Sequence, residues 1–186
     1  MAVDRNNSQA RIPAKGFSLI ELMVAMLVLA FGLVAGAAVI STAIATNGRA
    51  RFDTTATALA ESVMEHIVAI PSRAQSAAAL TSMTDCAGTT FTMNTVQGGA
   101  PLIQAGPFTG NVDFLQAPVG EYSMRYTICS AGQNMLYDVR WRIDPGPTPF
   151  TQLVTVSAKN VGQAGNSAGG NRFALPVRLR TIRGTF

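Results

Sequence analysis

"KGFSLIELMVAMLVLAFGL", Lys15 to Leu33, is the stretch that decides the fold of this chain. It opens an apolar run that continues to Ile44, and the only ionisable side chain from Phe17 to Ile44 is Glu21. As a helix rising about 1.5 Å per residue, this run covers about 42 Å, more than the roughly 30 Å of hydrocarbon in a bilayer. A core helix of that length would carry a polar stripe, and this one does not. The spacing predicts a membrane-spanning helix.

The flanks orient it. Arg5, Arg11 and Lys15 precede the run against one acid, Asp4, so the N-terminal side is predicted to be cytoplasmic and the rest to lie across the inner membrane, a single pass. The apolar core is longer than that of a secretory signal and runs straight on as helix, so it is expected to stay as an anchor. Glu21 then needs a reason. A carboxylate at a helix centre costs about 2.5–3.5 kcal/mol on insertion scales, and less near the end of a span. One reading is a carboxylate at the headgroup level, favoured by the N-terminal end of the helix dipole. The other is a chain cut between Gly16 and Phe17, whose new ammonium pairs with a carboxylate on the same helix or on a neighbour.

A Gly, an aromatic residue, a Glu at the fifth position and an unbroken apolar run occur here together. In this, "KGFSLIELMVAMLVL" resembles the class III signal of type IV pilins and of type II secretion pseudopilins. The resemblance implies that residues 1–16 form a leader peptide and that a prepilin peptidase cuts after Gly16. It also implies that Phe17 is N-methylated and that Glu21 neutralises the amine of an adjacent subunit during filament assembly. The stretches "LVLAFGLVAGAAVISTAIATNGRAR" and "TTATALAESVMEHIVAIP" are most similar to PilV-type minor pilins. Major pilins usually carry a proline where Ala38 stands; Gly32 and Gly36 remain as residues that can loosen the helix. The resemblance covers roughly the first third of the chain. It implies other minor and major pilins and an inner-membrane assembly platform as partners.

Beyond the transmembrane and assembly helix at 17–44, residues 45–186 read as a periplasmic head. Phe52, Ala56, Leu59, Val63, Ile67 and Ile70 recur at helical spacing, with Asp53, Thr57, Glu61 and Glu65 opposite, and Pro71 ends the helix. Residues 72–120 read as a variable loop region, with a short helix near Arg73–Met83. A β-sheet is expected over 121–186. Tyr122, Met124, Tyr126 and Ile128 alternate along one predicted strand; Met135, Tyr137, Val139, Trp141 and Ile143 alternate along the next, across a short "AGQN" connection. "TQLVTVSAKNV" and "RFALPVRLRTI" read as two more strands. In the last of these Phe173, Leu175, Val177 and Leu179 are in register, and Pro176 pushes the strand to an edge. The predicted fold class is α+β, one long helix on an antiparallel sheet of about four strands.

The chain has 186 residues, 48% apolar and 13% charged, against roughly 25% charged in soluble domains. Cys86 and Cys129 are its only cysteines, an even count in an exported domain, which favours a disulfide over two free thiols. Two cysteines and the single histidine, His66, do not make a metal site, and no nucleotide loop, paired carboxylates or serine elbow is present. The chain is therefore read as a non-enzyme without a cofactor. Charge is uneven along it: from Pro145 onward Lys159, Arg172, Arg178, Arg180 and Arg183 meet no acid. Arg172, Arg178, Arg180 and Arg183 can bind DNA or another polyanion through phosphates; the alternative is a solvated face balanced by Asp138 and Asp144. "VRLR" is similar, over two arginines, to the arginine-rich tail of DNA-binding minor pilins.

Overall fold

The computed structural model of the protein describes residues 16–70, 80–130, 133–163 and 174–184. The chain forms two compact units, Met1–Asn47 and Gly48–Phe186, the second of which is the head. Helix α1 runs from Leu19 to Val68 and contributes to both.

In the first unit α1 stands alone. Every residue from 19 to 47 is exposed, and among the described residues this is the one helix long and apolar enough to cross a membrane. Alanine and leucine are its commonest residues and no proline interrupts it, so the helix passes unbroken through Gly32, Gly36 and Ala38. Its hydroxyls are satisfied from within: Ser41 donates to the carbonyl of Ala37 (3.0 Å), Thr42 to Val39 (2.9 Å) and Thr46 to Thr42 (3.0 Å). Hydrocarbon offers a hydroxyl no partner, so this back-bonding suits a lipid setting.

In the head, the second half of α1 becomes amphipathic as its pattern predicts. Ala56, Leu59, Ala60, Val63 and Ile67 are buried, while Asp53, Glu61 and Glu65 face solvent. The stripe packs against one face of an antiparallel sheet. That sheet contains β3 (Gly98–Gly99), β4 (Ser123–Ser130), β5 (Gln133–Pro145), β6 (Thr151–Gln163) and β7 (Val177–Gly184). The order is β3-β5-β6-β7, with β4 also on β5. Strand β5 is the spine. Met135, Tyr137, Val139, Trp141 and Ile143 all turn to the helix and are buried, as their alternation requires. Register brings Met124 beside Val139, Trp141 beside Val156 and Leu179 beside Val156, so the apolar layer crosses four strands. Trp141 is fully enclosed, and its indole N–H donates to the carbonyl of Asn94 (2.9 Å). Gly99 crosses so close to the carbonyl of Trp141 that a Cβ there would lie 2.5 Å from that oxygen, and its φ of 126° suits only glycine.

Three expectations change. Residues 71–79 lie outside the described set, but Leu80–Thr84 is a strand, β1, and not the end of a short helix. It pairs with β2 (Thr90–Asn94) in a separate two-stranded sheet inside the region expected to be loop. The turn between them explains why: the Asp85 carboxylate accepts from the amides of Ala87 (3.0 Å) and Thr89 (2.7 Å), and Gly88 supplies a positive φ. The main sheet also gains β3 from that region. Third, Leu175 is 82% exposed ahead of β7 and does not continue the apolar register of Val177 and Leu179; Phe173 lies outside the described residues. Strand β7 does sit at a sheet edge.

The hairpin is fastened to β4. Cys86 is bonded to Cys129, their Cα atoms 5.9 Å apart, and the Tyr126 hydroxyl donates to the carbonyl of Thr84 (2.9 Å). The bridge encloses a separation of 43 residues, for which chain entropy gives about 4 kcal/mol. Reducing it in the full chain should lower unfolding stability by about that amount, read from the fluorescence of Trp141, the sole tryptophan. The Asp85 carboxyl next to it is held below its usual range: burial pushes it up, but the amides of Thr89, Thr127 and Ala87 and the Thr127 hydroxyl outweigh that. Stability from this lowered carboxylate is fully present above the unfolded value of about 3.9 and is lost as pH falls through the folded value. Acid below about pH 4 should therefore loosen the hairpin, and in Asp85→Asn that part of the pH dependence should vanish.

Candidate functional site

The Gly16–Phe17 peptide bond lies in non-helical, exposed backbone immediately before α1. Phe17 is 83% exposed, and a Cβ built on Gly16 would meet no atom within 4 Å. The carbonyl of Ser18 accepts the first helical hydrogen bond, from Leu22 (3.1 Å), which makes Ser18 the N-cap. Ser18 and Glu21 then have capping-box spacing, and the carboxylate stands in the first turn, where the helix dipole favours it. Phe17, Glu21, Leu22, Ala25, Met26 and Leu29 line a shallow groove of about 450 Å³. It is apolar along its length with one acid at its head. Such a groove can take an apolar helix and a cation at once.

The arginines of the last strand separate by parity. Arg178 and Arg180 lie on the outer face of β7, turned from the helix. Arg178 donates to the Asn111 side-chain oxygen and Arg180 to the carbonyl of Gly110 (2.6 Å); neither meets a carboxylate among the described residues. Burial, and then repulsion from Arg180, lower the Arg178 guanidinium from its usual value. Arg183 corrects the expectation of a four-arginine binding surface. It is 5% exposed and lies inside the fold. Its guanidinium donates to the Gln152 side chain (2.8 Å) and to the carbonyls of Ile67 (2.8 Å), Ile70 (3.5 Å) and Thr95 (2.6 Å). It thereby caps the carboxyl end of α1, where the dipole is negative, and ties it to the sheet. Burial lowers its pKa. The sequence held the signal, since 183 shares the parity of Val177 and Leu179. Arg172 lies outside the described residues.

The alternation along β5 turns Asp138, Arg140, Arg142 and Asp144 to this same outer face. Arg140, Ser157 and Arg178 form one row across β5, β6 and β7, and Arg142, Thr155 and Arg180 the next. Arg140 pairs with Asp138 (2.9 Å), donates to the carbonyls of Asp113 and Gln116, and covers the Phe114 ring, as Lys159 also does. Arg142 pairs with Asp144 (2.7 Å). The acids expected to balance Arg178 and Arg180 are thus committed to the arginines of their own strand.

The described residues thus combine an accessible Gly–Phe junction, an apolar helix exposed from 19 to 47 and a disulfide-fastened α+β head. Residues 13–37 match the model of the prokaryotic N-terminal methylation motif, a span that takes in Gly16, Phe17 and Glu21. The match supports a type IV pilin-like prepilin, processed by a prepilin peptidase and assembled with other pilins in a membrane-associated system. Searches of curated proteins and of solved structures gave no significant match.

Arg183→Leu removes the donor from three carbonyls at once, and each group left unpaired costs about 1–3 kcal/mol. The variant should lose roughly 3 kcal/mol in denaturant unfolding followed at Trp141, whereas Arg178→Leu should lose under about 1 kcal/mol.

Proposed function

We propose that this protein is a minor pilin of a type IV pilus. After cleavage between Gly16 and Phe17 and methylation of Phe17, it enters the filament through its N-terminal helix and helps to initiate assembly near the tip. The observation that carries this reading is the methylation motif on a helix that is apolar on every side and wholly exposed from 19 to 47. Such a helix has a suitable solvent only in lipid or in a bundle of similar helices. Before assembly the chain would sit in the inner membrane as a single pass with its N-terminus cytoplasmic, and afterwards in a pilus at the cell surface. The absence of proline at Ala38 fits a minor subunit. In the docked state Glu21 would neutralise the amine of a neighbouring subunit. A minor pseudopilin of a type II secretion system uses the same leader and helix, and is the alternative.

Mass spectrometry of filaments sheared from intact cells separates the two. The pilus reading expects a chain that begins at methylated Phe17 in the sheared fraction. Processed chain confined to the envelope, from cells whose filaments are recovered, favours the pseudopilus. Glu21→Ala should be cleaved normally but recovered in filaments at a small fraction of the wild-type level; equal recovery would remove the docking role.

A second reading, capture of DNA by the head, now stands on Arg178 and Arg180, which are exposed and lack carboxylate partners among the described residues. Each phosphate contact adds a slope of about −0.9 to log affinity against log salt for duplex DNA. Full chain in detergent should bind duplex DNA at low salt, and Arg178→Ala with Arg180→Ala should reduce the slope by about 2.

A further inference from the structure

Two surfaces of the head carry paired charges of opposite sign at matching spacing. On the flank of α1, Glu61 and Glu65 are exposed one helical turn apart, and neither is in an ion pair among the described residues. Val68, 40% exposed, continues that flank, and with Met64 and Thr181 these residues line a shallow groove of about 460 Å³. On the outer face of β7, Arg178, Arg180 and Ile182 follow one another at alternate positions, and all three are exposed. Along the chain the first surface runs acid, acid, apolar, and the second base, base, apolar. Their steps agree: four helical residues rise about 6 Å and two strand residues about 6.6 Å.

Neither surface meets its complement within its own head. Thr181, at the groove, has the parity of the helix side of β7, whereas Arg178 and Arg180 turn to the other side. Both arginines hold neutral oxygens of the 110–111 turn, and a guanidinium carries more N–H donors than these bonds use. Of the ten acidic residues of the chain all but Asp4 are described, and none pairs with Arg178 or Arg180. Direction also matters. Arg183, late in β7, reaches the carbonyls of Ile67 and Ile70 at the end of α1. At the other end Val177 lies opposite Ala158 and Ala158 opposite Val139, two residues from Tyr137, whose hydroxyl reaches the carbonyl of Phe52. Strand β7 and the head part of α1 therefore run the same way. Two heads side by side in one orientation bring the triplets together in order: Glu61 to Arg178, Glu65 to Arg180 and Val68 to Ile182. In the reversed orientation Ile182 would fall on Glu61 and Arg178 on Val68.

We propose that heads of this chain pack side by side in one orientation, the α1 flank at Glu61, Glu65 and Val68 of one copy against Arg178, Arg180 and Ile182 of the next. The occupant of the groove is thus a second copy. The two surfaces lie on opposite faces of β7, so each contact leaves one of them for a further copy, the head-to-tail relation that builds an open series. Exposed ion pairs are individually weak, so the contact needs heads held close, and tethering supplies effective concentrations of about millimolar. The inference rests on the proposed assembly only for that tethering, and is the same for a pilus or a pseudopilus.

The test uses the full chain reconstituted in neutral phosphatidylcholine vesicles. Lipid then does the tethering, and a failure counts against this contact and not against the pilus reading. Arg178→Lys with Arg180→Lys keeps the charges and gives a carbodiimide amines to join to carboxylates. In an equal mixture of isotope-labelled and unlabelled chains, cross-links between the two kinds of chain are expected from position 180 to Glu65 and from position 178 to Glu61. Energy transfer between donor- and acceptor-tagged chains reads the strength of association. Glu61→Arg with Glu65→Arg, or Arg178→Glu with Arg180→Glu, should each weaken it about tenfold. An equal mixture of these two variants should restore it, because each then offers the other a complementary surface. Trp141 fluorescence verifies that the variants are folded, and the cross-links decide alone if one is not. The proposal is overturned by the absence of cross-links between chains at these positions, by charge reversals without effect, or by folded variants that fail to restore association when mixed.

Discussion

The burial of the helix stripe against β5 is the contact on which the head depends. Val63 and Ile67 on one side, and Tyr137, Val139 and Trp141 on the other, are wholly removed from water. Side chains of this size each contribute about 1.5–3 kcal/mol when buried. Everything else is arranged around that layer. Strands β4 and β6 extend it sideways, the β1–β2 hairpin adds Met93 to it, and Arg183 holds the last carbonyls of α1. A buried guanidinium is costly unless its donors are used, and here they are spent on backbone groups that would otherwise be orphaned where the helix stops.

Outside this layer the sheet is a surface of ion pairs and clamps. On β5 each arginine has an acid two residues away on the same strand, and the loop over 113–116 is drawn down by Arg140 through carbonyls and an aromatic ring. On β7 the arginines hold the 110–111 turn through neutral oxygens and keep their charge uncompensated by any carboxylate among the described residues. The same face is therefore neutralised at its centre and electropositive at its margin.

How much of this could be read in advance follows from how local each signal is. The apolar run from Phe17 and the alternation of residues 135–143 are periodic over many positions, and periodicity alone tells which face is buried. The β1–β2 hairpin has strands of only five residues each, too short for the Phe91–Met93 alternation to stand out, and its existence rests on the Asp85 turn and on a bond to Cys129 far along the chain. Strand β3 is two glycines, invisible to any pattern. Arg183 was legible by parity but is masked by composition, since a lone arginine near two exposed ones reads as one more surface charge. At the N-terminal site it is the family resemblance that points to Gly16, Phe17 and Glu21, while the groove below Glu21 needed the helix to be built.

The hydroxyls of Ser41, Thr42 and Thr46 are all turned back onto their own helix. No polar handle is left between Leu22 and Ile40 for a neighbour to grip, only apolar side chains of unequal size, with gaps at Gly32 and Gly36. On the proposed docking of Glu21, that one carboxylate would set the axial step of an assembly built on this rod, and the apolar side chains its tightness.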